Sequence, residues 1–312
     1  MSRADHAVPF YEKEQKCEHL FRSEGPFWHL YTDGSKTDML FADTEEFIIG
    51  INGLGICASR FPDVHIYSFT LMNDHLHMIL SGLQERCKAF FDAYKKYIKS
   101  VFRRNARTKN LKGFCCELLE ITDLRMLRNE IVYVNRNGYL VHPEHTPFTY
   151  PWGCGPYMFN PAYKEVPCQH FNSLSLRERR KISRSREATA DDAIMVINGM
   201  FLPPTFCYTK EAESMFRDAH HYFNMLSKNF EAYNEIAKRL HEKVFIADEE
   251  MYSAISALCV KEFNIRKPSD LTPKEKIEIA RKMHFEYNAS GRQIRSILKL
   301  EQHIVDEMFP TR

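Results

Sequence analysis

The sequence predicts an α+β fold, a ferredoxin-like antiparallel sheet with helices on one face followed by an all-α, helix-turn-helix-like C-terminal region. Three observations carry this. Period-two and period-3.6 apolar segments alternate in the order β-α-β-β-α-β between about residues 26 and 121, apart from one extra hairpin strand. A long amphipathic basic segment fills the second helical slot. The last forty residues carry three closely spaced helices, two of them with starts marked by capping residues.

The elements follow in order. Pro26 to Thr32 and Thr37 to Ala42 read as strands around the turn Asp33-Gly34-Ser35. Thr44-Glu45-Glu46 begins a helix running to about Arg60, and Val64 to Met72 is a strand. Asn73-Asp74 forms a tight turn, and His75 to Ser81 is the antiparallel partner. A helix from about Leu83 to Arg107 follows, then a strand over Gly113 to Ile121. Asp123 is the expected N-cap of the next helix, whose apolar residues Leu124, Leu127, Ile131 and Val134 form one face, with Gly138 just past its end. Beyond it, Thr189-Ala190-Asp191-Asp192 starts a short helix, Pro203-Pro204 breaks the chain, and Phe216 to Lys243 is mainly helical.

In the C-terminal region Thr272 caps a helix with Pro273 at its first position, running to about Tyr287. Ser290 caps a second, with Ile294, Ile297 and Leu298 inward, and Glu301 to Phe309 forms a third. The third is the candidate recognition helix, with Arg292, Arg295 and Lys299 just before it. A helical bundle that packs or dimerises is the alternative. The domain plan is an N-terminal extension over 1–25, a main domain over 26–163, a connector with short helices over 164–230, and a helical region over 231–312 containing the helix-turn-helix-like segment 272–310.

Composition bounds the function classes. The chain has 312 residues, 44% hydrophobic and 27% charged, with net charge +2, as in soluble globular proteins. It has no run of about 18 apolar residues and no signal-peptide core, so membrane and secretory readings fail and a cytoplasmic protein is expected. Nine cysteines, an odd number with no Cys-x-x-Cys pair, suggest reduced thiols rather than a disulfide framework or a zinc ribbon. The charge is concentrated. From Arg86 to Lys112 ten basic residues face one acid, Asp92. Among them Lys95, Lys96, Lys99, Arg103 and Arg104 make the kind of surface that releases counterions on binding a phosphate backbone. Tyr94 and Tyr97 are candidates for stacking on unpaired bases, with burial under the sheet as the alternative.

His75 and His77 flank Leu76, so on a strand both imidazoles project from one face and can serve one ion. Tyr133 and Asn137 stand four apart on their helix and share a face. Tyr139 and Tyr157 are rival phenols.

The segments "MNDHLHMIL", "IVYVNRNG" and "YPWGCGPYMF" together resemble the single-tyrosine HUH transposases, and most closely the REP-associated tyrosine transposases, over about residues 26 to 160. Asn73-Asp74 stands where Pro-Asn is usual in that family, and Gly138 where proline is common. The resemblance implies the HUH endonuclease fold and divalent metal binding, Mg²⁺ or Mn²⁺, by His75, His77 and Asn137. It also implies that Tyr133 is the nucleophile forming a 5′-phosphotyrosine, and that the partner is single-stranded or hairpin repeat DNA. A nucleoid-associated monomer or homodimer is expected. Two alternatives stay open: a non-cleaving DNA-binding regulator derived from such an enzyme, and a metal-dependent phosphodiesterase using water.

Overall fold

The computed structural model describes residues 10–37, 39–105, 107, 109–141, 145, 148–185, 190–228, 236–237, 239–240, 248–287 and 289–309. The chain divides into two units, Met1–Ser227 and Lys228–Arg312.

The first unit is built on a four-stranded antiparallel sheet of β1 (Phe27–Thr32), β2 (His65–Leu71), β3 (Leu76–Ser81) and β4 (Cys116–Ile121), in the spatial order β2-β3-β1-β4. Helices α2 (Thr44–Arg60) and α3 (Gln84–Arg104) lie on one face, and α1 (Phe10–Glu24) and α4 (Leu124–Val141) occur earlier and later in the chain. Every residue of β3 is buried. A strand buried on both sides needs cover on both.

Alternation decides which side chain meets which cover. Leu30 on β1, Leu76, Met78 and Leu80 on β3, and Phe69 and Leu71 on β2 join Phe90, Phe91, Tyr94, Ile98 and Phe102 of α3 in one apolar core. Each fully buried phenylalanine there contributes about 2 kcal/mol. The alternate residues His29, His77, Ser68 and Thr70 turn to the opposite face, where α4 lies. The helices therefore cover both faces of the sheet, rather than the single face expected from the sequence. A bulge between Ile66 and Ser68 keeps β2 in step with this division. It lets Tyr67 reach Phe27 and Ser68 reach Asn135 of α4 without moving Ile66 and Phe69 out of the apolar core.

The expected strand over Thr37 to Ala42 does not form among the described residues of that span. The Asp33 carboxylate accepts hydrogen bonds from the Ser35 N–H and hydroxyl and caps a 3-10 turn over Gly34–Lys36. The Leu40 and Phe41 N–H groups both donate to the Asn73 carbonyl, at 2.6 and 3.0 Å, and their side chains drop into the core. Leu40 and Phe41 thus form a buried loop segment clamped to the turn before β3, while Met39 is exposed.

The expected end of the Tyr133 helix at Gly138 is also wrong, because α4 continues to Val141. Glycine is needed there for close approach. A Cβ on Gly138 would stand 2.1 Å from the Tyr150 ring, and Tyr150 is fixed by its hydroxyl donating to the Leu71 carbonyl at 2.7 Å. The segment after Tyr150 lies along β2, the sheet edge. Leu71 N–H donates to the Trp152 carbonyl at 2.8 Å, and Cys154 N–H donates to the Phe69 carbonyl at 3.0 Å. The third sequence motif thus satisfies backbone groups that an edge strand would leave open.

Residues 164–230, read from sequence as a connector with short helices, contain the helices α5 (Leu176–Ser183), α6 (Thr209–Ser214) and α7 (Ala219–Lys228), but also a second, three-stranded antiparallel sheet of β5 (Gln169–His170), β6 (Met195–Ile197) and β7 (Met200–Phe201), and β6 follows where a helix from residues 189–192 is expected. Phe171, Ile194, Val196 and Phe201 close a small core over Ile56 of α2.

The second unit contains α8 (Asp248–Phe263), α9 (Pro273–Phe285), α10 (Gly291–Leu298) and α11 (Gln302–Met308). Thr272 with Glu275, and Ser290 with Gln293, form reciprocal capping boxes that start α9 and α10 where the sequence predicts. Ile279, Met283, Ile294, Ile297, Leu298 and Val305 form its core with Met251, Ile255 and Cys259 of α8. Among the described residues no helix is long and apolar enough to cross a membrane. All nine cysteines are free thiols.

Candidate functional site

The α4 face of the sheet carries a row of polar side chains in an otherwise apolar setting. His77 on β3 and His29 on β1 are near neighbours, since His77 pairs in register with Tyr31 and His29 with Ile79. His29 Nε2 lies 3.0 Å from His77 Nδ1, and His29 Nδ1 lies 2.8 Å from Glu130 Oε2 on α4. All three side chains are fully buried. Burying polar groups is costly unless they are hydrogen-bonded, and these contacts serve both ring nitrogens of His29 and Nδ1 of His77.

His75 sits just before β3, at the more exposed end of the row. Its ring and the His77 ring are perpendicular with centroids 5.2 Å apart, so the two project together as their spacing predicts. His75 Nδ1 lies 2.6 Å from Asp74 Oδ1, and its side chain is 18% exposed.

Helix α4 brings Tyr133 onto this row. The Tyr133 ring packs edge-to-face on His77, with centroids 5.5 Å apart, and on His29 at 6.0 Å. Glu130 precedes Tyr133 by three residues, so one turn of helix delivers both. The helix is held over the sheet by Ser68, whose hydroxyl donates to Asn135 Oδ1 at 2.7 Å, and by Thr70, whose hydroxyl donates to the Val134 carbonyl at 2.6 Å. Tyr133 is only 3% exposed. Asn137, one turn further along the same helix, is half-buried, and its Nδ2 is buried without a hydrogen-bond partner among the described residues.

The rival phenols are placed differently. Tyr157 ends a 3-10 turn against Tyr163, and burial pushes its hydroxyl up to about 12, which disfavours the phenolate. The Tyr139 side chain lies outside the described residues.

The structure separates the basic surface from this row. The apolar face of α3 packs on the side of the sheet opposite α4, so Lys96, Lys99, Arg103 and Arg104 are exposed away from Tyr133, and Lys95 is half-exposed beside Cys115. Arg104 is engaged with the Arg184 carbonyl. Tyr94 and Tyr97 are buried under the sheet and do not stack on bases. Burial raises both phenols well above the ordinary value. In the second unit, Arg292 pairs with Asp248 at 2.7 Å and Arg295 bonds to Gln302.

His29 and Glu130 are the residues that sequence reasoning misses. His29 lies in the strand "FWHLYT" with no second histidine near it, and Glu130 reads as an ordinary helix carboxylate. The usable signal is period two on β1, which puts His29 on one face with Phe27 and Tyr31, and the three-residue spacing from Glu130 to Tyr133.

A cavity of about 900 Å³ lies elsewhere, lined by Glu45, Asn52, Cys168, Lys181 and Arg184 among others, and none of its lining belongs to the histidine row. Among the described residues no group of three or more His, Cys, Asp or Glu forms a metal-binding cluster. No family model, no curated protein and no solved structure matches the chain.

Proposed function

We propose that the chain is a single-tyrosine HUH-type DNA nickase and strand transferase, acting on single-stranded, hairpin-forming repeat ends. The observation that carries this reading is the convergence of Tyr133 with His77 and His75 on one face of the sheet. The chain order β1-α2-β2-β3-α3-β4 and its antiparallel pairing also fit the ferredoxin-like split pattern of the HUH endonuclease fold.

Tyr133 is the nucleophile. Its phenol oxygen bonds to phosphorus, the bond to the 3′ oxygen breaks, and the proton lost by the phenol is balanced by the one gained on the released 3′-hydroxyl. The 5′-phosphotyrosine retains the bond energy, so another 3′-hydroxyl reverses the step and joins new ends without ATP.

The donor set fits Mg²⁺ or Mn²⁺, with two imidazoles, one carboxamide and room for phosphate oxygens. His75, His77 and Asn137 would hold the ion. The buried Nδ2 of Asn137 has hydrogen-bonding capacity to spare, and turning the amide over puts its carbonyl oxygen at that position. When bound, the ion supplies Lewis-acid polarisation of the scissile phosphate. His77 and His29 provide the rigid wall against which Tyr133 is oriented. Because Tyr133 is buried, substrate binding must uncover its hydroxyl before attack.

That burial favours a second reading, a regulator that binds hairpin DNA without cutting it. The test is to incubate the full chain with Mg²⁺ and a labelled single-stranded hairpin and map the product ends. Nicks leaving free 3′-hydroxyls support the enzyme, and binding without nicks supports the regulator.

A further inference from the structure

We infer that His29 and Glu130 are positioning residues: together they fix the tautomer of His77 so that Nδ1 carries the hydrogen and Nε2 carries the lone pair. This deepens the proposed function, since it rests on His77 as a cation ligand, for which a lone pair on the outer nitrogen is required.

With the Glu130 carboxylate as acceptor, His29 Nδ1, at 2.8 Å from it, donates. Neutral His29 is then left with an acceptor at Nε2. That atom lies 3.0 Å from His77 Nδ1, and two ring nitrogens at this distance share one hydrogen, which must come from His77. His77 Nε2 is left as the lone-pair nitrogen. The competing arrangements, a doubly protonated His29 or a hydrogen on Glu130, reverse the second bond and put a hydrogen on His77 Nε2.

His75 supplies an independent parallel. Its Nδ1 lies 2.6 Å from the Asp74 carboxylate, which likewise makes Nδ1 the donor, so that in the neutral ring Nε2 carries the lone pair. Each histidine of the pair is thus anchored through Nδ1 to a carboxylate, His75 directly and His77 through His29. Such outer contacts typically change metal affinity about 10–100-fold when removed. Glu130 and Tyr133 share one turn of α4, so the helix that carries the phenol also carries the anchor.

The test uses full-length, metal-free protein labelled with ¹⁵N-histidine. Long-range ¹H–¹⁵N correlation should show His77 protonated at Nδ1 and bare at Nε2, and a hydrogen on His77 Nε2 would overturn the inference. His29→Phe keeps a ring of similar size but removes the acceptor. It should weaken binding of Mn²⁺ alone by about 10–100-fold and release His77 to the other tautomer, while His29→Asn, which restores an acceptor, recovers part of the affinity. Unchanged Mn²⁺ affinity in folded His29→Phe also overturns it. If the wild type binds no Mn²⁺ yet His77 keeps its hydrogen on Nδ1, the cation reading falls and the tautomer lock stands. The wild-type spectrum decides the lock even where a variant fails to fold.

Discussion

Tyr133 meets His77 edge-on, with ring planes at 88° and centroids 5.5 Å apart, in a layer closed by His29 and Glu130. This contact joins helix α4 to strand β3 through a phenol and an imidazole. It also means that packing and function are not separable at every residue of the row.

His77→Ala and His75→Ala should therefore differ in stability. His77 is fully buried and bonded to His29, so its removal leaves a cavity and an unpaired nitrogen at a cost of about 2–4 kcal/mol. His75 is partly exposed, and its removal should cost under about 1 kcal/mol. Chemical denaturation of both variants checks the ordering. Equal destabilisation would show that the buried chain contributes nothing special.

Gly138→Ala sets helix propensity against packing. Alanine gains about 1 kcal/mol in a helix interior, but its Cβ would lie 2.1 Å from the Tyr150 ring, and overpacking costs about 1–3 kcal/mol. The Tyr150 hydroxyl is tied to Leu71, so the ring cannot move without losing that bond. We expect net destabilisation and a lower melting temperature. A stabilised variant would mean that Tyr150 yields freely.

These two cases mark what the sequence made legible and what it did not. Local rules found the capping boxes at Thr272 and Ser290, the amphipathic basic helix, and the shared face of His75 and His77, because each depends on neighbours in sequence. The same rules misread Gly138 as a helix end, since only the approach of Tyr150 explains it. They misread residues 37–42 as a strand, since the N–H groups of Leu40 and Phe41 are claimed by Asn73, more than thirty residues away. The pairing of His29 with Glu130 and His77 was hidden for the same reason. Their meaning exists only once β1, β3 and α4 are side by side.

His221 makes stability depend on pH. Burial, together with the neighbouring cations Arg217 and Arg128, lowers it from the ordinary 6.5 to about 4. Between these values the unfolded chain binds a proton that the folded chain does not, so stability falls as pH drops from about 6.5 to about 4 and the contribution levels off below that. His221→Gln should flatten this part of the curve, as read by urea midpoints at pH 4.5 and 7. An unaltered slope would assign the acid sensitivity to other groups, such as Glu14, which its hydrogen bond to Arg128 holds below the ordinary carboxylate value.

The most direct measurement is capture of the covalent intermediate. Full-length wild type and Tyr133→Phe are incubated with Mg²⁺ and a single-stranded hairpin labelled at its 3′ end, because a 5′-phosphotyrosine retains the downstream fragment. The substitution removes one oxygen and keeps the ring that packs on His77, so the fold should survive and hairpin binding should be retained. The account predicts a denaturant-resistant protein–DNA band in the wild type, with the nucleotide mapped by mass spectrometry to Tyr133, and no band in Tyr133→Phe. Undiminished cleavage by Tyr133→Phe, or an adduct on Tyr139 or Tyr157, would contradict it.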